Sequence, residues 1–336
     1  MDRIAGTPRR VPRRAVLQAG IGAALAAGGL PGTARGDTDW PSQPVRYINL
    51  FPAGGATDVM SRLFCQKMGA LTGQQWVVEN RSGAAGNVGQ AAIAQARPDG
   101  YTVGLGSVAT LAVGPSIYAN LPFNPVRDFT YISGIWQVPN VLFLNLDFPA
   151  RTLAEVIAHV RANPGKFQYG SGGAGTTPHL TMELLKQRAG MDIVHVPYRG
   201  GAPALIDLLG GRIQMAFDNI PTVIGTIREG RVRAVAVTSL QRNSALPDVP
   251  TVAEMFPGFE ITSWGSLVGP AGIPAPIVAR ANAVTRQALE SPDLIRSFAD
   301  NGGTPWYTTP EGLVAFRAEQ ERMFAELVRI SGARVE

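Results

Sequence analysis

Reactive side chains are scarce in this chain: 336 residues hold one cysteine, Cys65, and three histidines, His159, His179 and His195. A lone cysteine excludes an intramolecular disulfide, so packing has to hold the fold together. The spacing of Cys65 from Leu63, Phe64 and Met68 sets it on a helix as a buried, inert thiol. Three scattered histidines with no acidic cluster beside them do not form a zinc site. No G-x-S-x-G elbow, no P-loop and no H-E-x-x-H occurs, so the usual hydrolase, nucleotide and metalloprotease signatures are missing. Repeats of 20 to 50 residues, low-complexity tracts and disorder signatures are missing too. Nothing calls for a metal or a cofactor.

Positive charge is plentiful only at the start. Residues 1 to 36 contain six arginines and one aspartate, which is the whole formal net charge of +5. The remainder is neutral, so the excess is a targeting device and no nucleic-acid partner is expected. Arg9, Arg10, Arg13 and Arg14 precede an uncharged run from Ala15 to Ala34, and a small-residue exit follows at Ala34-Arg35-Gly36. This is an export signal over residues 1–36, with cleavage before Asp37 and a periplasmic destination. A single membrane anchor is the competing reading, but a glycine-interrupted stretch of roughly 20 residues is marginal for spanning. Arg13-Arg14-Ala15-Val16-Leu17 resembles a twin-arginine leader.

From Val45 onward, short apolar runs alternate with helical periodicity, the pattern of an α/β fold with parallel sheets flanked by helices. Strands are expected at 45–50, 76–79, 102–105, 132–136, 141–146, 167–169, 193–196, 213–217, 233–237 and 264–268. Thr152 with Glu155 reads as a capping box, Thr177-Pro178 as an N-cap before a first-turn proline, and Thr309-Pro310-Glu311 as a second such start. The runs Asn140 to Asp147 and Ser263 to Gly269 read as crossovers. They divide the mature chain into a discontinuous first domain, residues 41–140 plus 268–336, and a second, residues 141–267, that includes the crossover strands.

Two glycine-rich loops each follow a strand and open a helix: Phe51-Pro52-Ala53-Gly54-Gly55-Ala56-Thr57-Asp58 and Gly170-Ser171-Gly172-Gly173-Ala174-Gly175-Thr176-Thr177. Free amides and the dipole at a helix start attract a carboxylate or phosphate. Asp58 has a second reading as a plain first-turn acid. The second loop also matches G-x-G-x-x-G, with Asp192 about twenty residues on. Its helix starts after the last glycine, however, which does not suit a dinucleotide. Arg81 and Arg199 sit beside glycines and could pair a carboxylate or be solvated. Ser107 and Asp218 end strands, where open α/β sheets bind ligands; turn capping is their alternative role. Ser171 with His179 is the one hint of a nucleophile and base, and would make a periplasmic hydrolase.

The segments PAGGATD, VVENRSGAAGN, YGSGGAGTTPHLTMELL, VPYRGGAPALIDLLGGRIQMAFDN and RAVAVTSLQRNSALPDVPTVAE resemble, in unbroken order, the substrate-binding subunit of tripartite tricarboxylate transporters, the Bordetella uptake gene receptors. The resemblance implies a periplasmic-binding-protein-like fold (type II), two α/β domains joined by crossover strands around a ligand cleft. It implies capture of a small mono- or dicarboxylate without turnover, transporter membrane subunits as partners, and a monomer. Carried over by position, the ligand contacts are Phe51, Ala53, Gly54, Gly55, Asp58, Gly83, Ser107, Gly175, Thr176, His179, Tyr198 and Asp218.

Overall fold

The computed structural model describes residues 39–333, so the proposed leader over residues 1–36 lies outside the described residues. The chain begins with a hydrophobic strand, β1 (Val45–Asn49), and a helix, α1 (Ala56–Thr72), that buries Met60, Phe64 and Met68, one apolar stripe at four-residue spacing. Gly73, at φ +68, ends α1 in the left-handed conformation that glycine adopts without strain. The buried thiol of Cys65 lies on α1, and burial pushes its pKa up, which keeps it protonated and unreactive.

The first half continues through β2 (Trp76–Asn80), α2 (Asn87–Ala94), β3 (Thr102–Ser107), a π turn at 109–113, α3 (Gly114–Ile117) and β4 (Phe129–Leu144). Next come α4 (Leu153–Arg161), β5 (Gln168–Ser171), α5 (Thr177–Ala189), β6 (Val194–Pro197), α6 (Gly201–Leu209), β7 (Met215–Asn219), α7 (Ile220–Arg228) and β8 (Arg233–Val237). The chain closes with β9 (Thr262–Pro270), α8 (Ala275–Leu289), α9 (Pro292–Asp300), β10 (Thr304–Pro305) and α10 (Pro310–Ser331).

Strand order is β2-β1-β3-β9-β4-β7-β5-β6, with β8 and β10 also on β4. The β1–β2, β1–β3, β5–β6 and β5–β7 pairs are parallel, whereas every pair made by β4 or β9 is antiparallel. The sheets are therefore mixed, which corrects the all-parallel expectation. The cause is β4: the runs expected at 132–136 and 141–146 are one 16-residue strand that serves two sheets. Residues up to Pro139 pair with β9, and from Asn140 the strand pairs with β7 instead. At the switch, Asn140 and Thr238 exchange hydrogen bonds, Thr238 N–H to Asn140 O at 2.9 Å and Asn140 N–H to Thr238 Oγ1 at 2.8 Å. The sheet of β2-β1-β3-β9-β4 and the sheet of β4-β7-β5-β6 are called here the first and second lobes.

Two helix starts differ in detail from expectation, and a third matches it. The N-cap of α5 is Thr176, not Thr177, because Thr177 is already helical and Pro178 takes the second position. At α4, Thr152 Oγ1 accepts from Glu155 N–H at 3.2 Å, but Glu155 accepts from Arg151 N–H in place of Thr152 N–H, so only half of the box forms. At α10, Thr309 Oγ1 accepts from Gly312 N–H at 3.1 Å as a proper cap. The two-residue β10 was not expected; it is too short to carry a periodic signal.

Candidate ligand-binding site

A cavity of about 550 Å³, open solvent at its mouth included, lies between the lobes. Phe51, Gly55, Thr57, Ser107, Trp136 and Trp264 line it from the first lobe; Gly172, Thr176, Thr177, Gly201, Asp218 and Thr222 line it from the second. Four helices begin at this wall, α1, α5, α6 and α7, each directly after a strand. Their positive ends favour negative charge in the space between them. No lysine, arginine or histidine lines the cavity among the described residues.

The lobe-one loop is pinned by its carbonyl: Phe51 O accepts from Asn49 Nδ2 and Asn80 Nδ2, both at 2.9 Å. Asp58 turns back on its own loop. It accepts from Gly54 N–H at 3.0 Å, Arg62 Nε at 3.0 Å and Asn80 Nδ2 at 2.9 Å, away from the cavity. Burial opposes its charge, but Arg62, the Gly54 amide and Asn80 outweigh burial and hold its pKa below the usual carboxylate range. Two groups at the cavity wall have no partner: the buried hydroxyl of Thr57 and the buried indole N–H of Trp136. Buried polar groups are normally hydrogen-bonded, so each lacks the partner such a group ordinarily has.

The lobe-two loop pairs several of its polar groups inside the protein. Gly173 N–H donates to Ser171 Oγ at 3.2 Å, Thr176 Oγ1 to Gly173 O at 2.7 Å, and Gly175 N–H to His179 Nδ1 at 3.1 Å. The last bond fixes the His179 tautomer, since an accepting Nδ1 leaves the proton on Nε2. Behind His179 the His195 ring stacks at 4.2 Å between centroids, and Tyr169 stacks on His195 at 4.8 Å. Burial lowers the pKa of His179 to about 4 and that of His195 to about 3, so both rings are neutral at pH 7. Thr177 Oγ1 bonds the Ser263 hydroxyl, which also accepts from Asn219 Nδ2 at 2.6 Å.

Of the twelve residues carried over by resemblance, Phe51, Gly55, Ser107, Thr176 and Asp218 lie on the cavity wall. Ala53 and Gly54 are exposed at the loop tip, and Gly83 caps the turn before α2 at φ +144. Gly175 and His179 support the lobe-two loop from behind, and Tyr198 donates to Asp207 Oδ2 at 2.8 Å. Arg81 pairs with Glu79 at 2.6 Å and Arg199 is exposed. The Ser171–His179 dyad does not form. Ser171 Oγ lies 2.7 Å from His195 Nε2 and is fully buried, while His179 is committed to Gly175. Sequence reading missed Thr57, Trp136, Thr222 and Trp264 as wall residues. No group of three or more metal-binding side chains occurs among the described residues, and no described helix is long and apolar enough to cross a membrane.

The profile of the tripartite tricarboxylate transporter family receptor matches residues 60–332. The chain belongs to that receptor family. The receptor is 36% identical to BugT of Bordetella pertussis over 95% of this chain and 98% of that one. Among solved structures it resembles an adipate-bound protein of R. palustris, with TM-score 0.86 and 32% identity over 88% of this chain and all of that one. It also resembles MatC of Rhodopseudomonas palustris with bound malate, with TM-score 0.80 and 29% identity over 86% of this chain and all of that one. The receptor is thus a periplasmic solute-binding protein and not an enzyme, with the periplasmic-binding-protein-like fold.

Proposed function

We propose that the receptor captures a small mono- or dicarboxylate between its lobes and delivers it to the membrane subunits of a tripartite transporter. One observation carries this reading: four helix starts converge on a cavity that offers neutral donors and no side-chain cation. Such a site retains an anion through amides, hydroxyls and an indole, with ordered water filling the gaps. The solutes named with its structural relatives, adipate and malate, are both dicarboxylates of a size that about 550 Å³ accommodates.

In this reading Phe51, Gly55, Thr57, Ser107, Trp136, Thr176 and Asp218 touch the guest. Ala53, Gly54, Asp58, Gly83, Gly175, His179 and Tyr198 hold the loops that do so. The two lobes move as domains close to the expected 41–140 plus 268–336 and 141–267, with β9 going with the first because it pairs only within that lobe's sheet, flexing where β4 changes partners at Asn140. Residues 1–36 direct export, and the mature receptor works as a monomer. A thermal-shift screen of aliphatic, amino and aromatic acids tests the reading. A bound acid at a hundred times its Kd adds about 2.7 kcal/mol of stability. Mass spectrometry of solute retained through purification identifies the guest; no shift at millimolar concentration from any acid overturns the proposal.

A further inference from the structure

A carboxylate receptor has little use for an acid on its cavity wall, yet the single charged side chain there among the described residues is Asp218. Its two oxygens have different lives. Oδ1 accepts from Asn219 N–H at 2.6 Å and from the Thr222 hydroxyl at 3.2 Å. Thr222 Oγ1 in turn accepts Ala56 N–H, at 2.9 Å, from the first turn of α1 in the other lobe. A chain of hydrogen bonds therefore runs across the cleft from Ala56 through Thr222 to Asp218. Oδ2 has no hydrogen-bond partner among the described residues. It stands over Gly201, where an added Cβ would lie 1.7 Å from it, so a residue without a side chain is needed to seat the carboxyl beside the cavity.

Among the described residues no cation is paired with this acid. On the elements packed around β7, Asp58 of α1 is paired with Arg62, Glu183 of α5 with Lys186, and Asp207 of α6 with Arg212. Arg228 of α7 donates to Asp300 O, His179 of α5 is neutral, and β4 carries no charged residue. None of these shifts Asp218. Burial alone raises its pKa to about 7, against the opposing bonds from Asn219 and Thr222.

We infer that Asp218 takes up one proton from solvent when the receptor closes on its guest, so that Oδ2 becomes an O–H donor to the guest carboxylate. The inference rests on the carboxylate reading above. Two carboxylates facing each other in a site shut off from water cannot both stay ionised, and one shared proton turns repulsion into a charge-assisted hydrogen bond. Only the O–H bond forms, and the proton returns to solvent on release. Oδ1 keeps both of its donors in either state, so the cross-lobe chain through Thr222 survives closure.

Calorimetric titration of the full receptor with adipate, malate and other C4 to C8 dicarboxylates tests this at pH 6.0, 7.0, 8.0 and 9.0. Phosphate and Tris serve as a buffer pair of different ionisation enthalpy. The expected result is uptake of about one proton per guest at pH 8 and above, with affinity flat below pH 6 and falling about tenfold per unit above pH 7. Asp218→Asn, a permanent amide donor, is expected to bind with an affinity that no longer varies with pH. Binding with no proton uptake, meaning that the guest itself supplies a donor to Oδ2, overturns the inference and leaves the carboxylate reading intact. No binding by any of these acids overturns both.

Discussion

The two glycine-rich turns look alike in sequence and behave differently in the fold. The second, between β5 and α5, spends its polar groups on itself: Gly173, Gly175, Thr176 and Thr177 all find partners within the protein, backed by the Tyr169–His195–His179 stack. The first, between β1 and α1, leaves the Thr57 hydroxyl unpartnered at the cavity wall. One turn is a finished wall, and under the proposed function the other is one that a guest completes. Breaking the first kind should cost stability; breaking the second should cost affinity.

The largest effect is expected where the finished wall is undermined. His179→Ala removes a buried ring from the stack and leaves the Gly175 amide without its acceptor, and should destabilise the receptor by about 3 kcal/mol. Urea unfolding of the variant measures this, and an unchanged midpoint would show that the stack supports nothing. Acid should reach the same wall chemically. The folded pKa of His179 is about 4 against 6.5 unfolded, so its contribution is present above pH 6.5 and is lost as pH falls toward 4. The shift corresponds to at most about 3 kcal/mol. Asp218 has the opposite sign: its pKa is raised to about 7, so it stabilises below pH 3.8 and that contribution is lost as pH rises through 7. Stability measured against pH should therefore fall on the acid side in the wild type and fall less in His179→Ala, while Asp218→Asn should gain on the alkaline side.

A smaller effect is expected at the lobe-one acid. Asp58→Ala frees the Gly54 amide, Arg62 and Asn80 together, yet Arg62 is half exposed and can turn to water. A loss of about 2 kcal/mol in unfolding free energy, with guest affinity reduced only through a loosened loop, would class Asp58 as a first-turn acid. A loss of affinity without any loss of stability would instead make it a contact.

The contrast between the turns explains what could be read in advance. Strand positions, the glycine loops and the ends of β3 and β7 are legible because each rests on local signals: apolar runs, breakers and strand ends followed by helix starts. Asp218 and Ser107 follow from that pattern. Trp136, Trp264 and Thr222 do not, because they reach the cavity only through the pairing of β4 with β9 and through the lobes meeting, as when Thr222 takes the Ala56 amide. The roles of Asp58 and His179 were open for the same reason. A first-turn acid and a histidine near a helix start look identical whether they face a guest or turn back on the loop.

The smallest expected change is the sharpest test, because stability and affinity should move in opposite directions. Thr57→Val keeps the shape of the side chain and deletes a buried hydroxyl that has no partner among the described residues. An unmet buried hydroxyl is a cost, so the unliganded variant should be more stable by about 1 kcal/mol. If the same hydroxyl meets the guest, affinity should drop by roughly fivefold to tenfold, the worth of one hydrogen bond. Thermal unfolding with and without guest reads both quantities on one sample. A variant that gains stability and keeps its affinity would mean that the unfinished turn is open for some other reason than the guest.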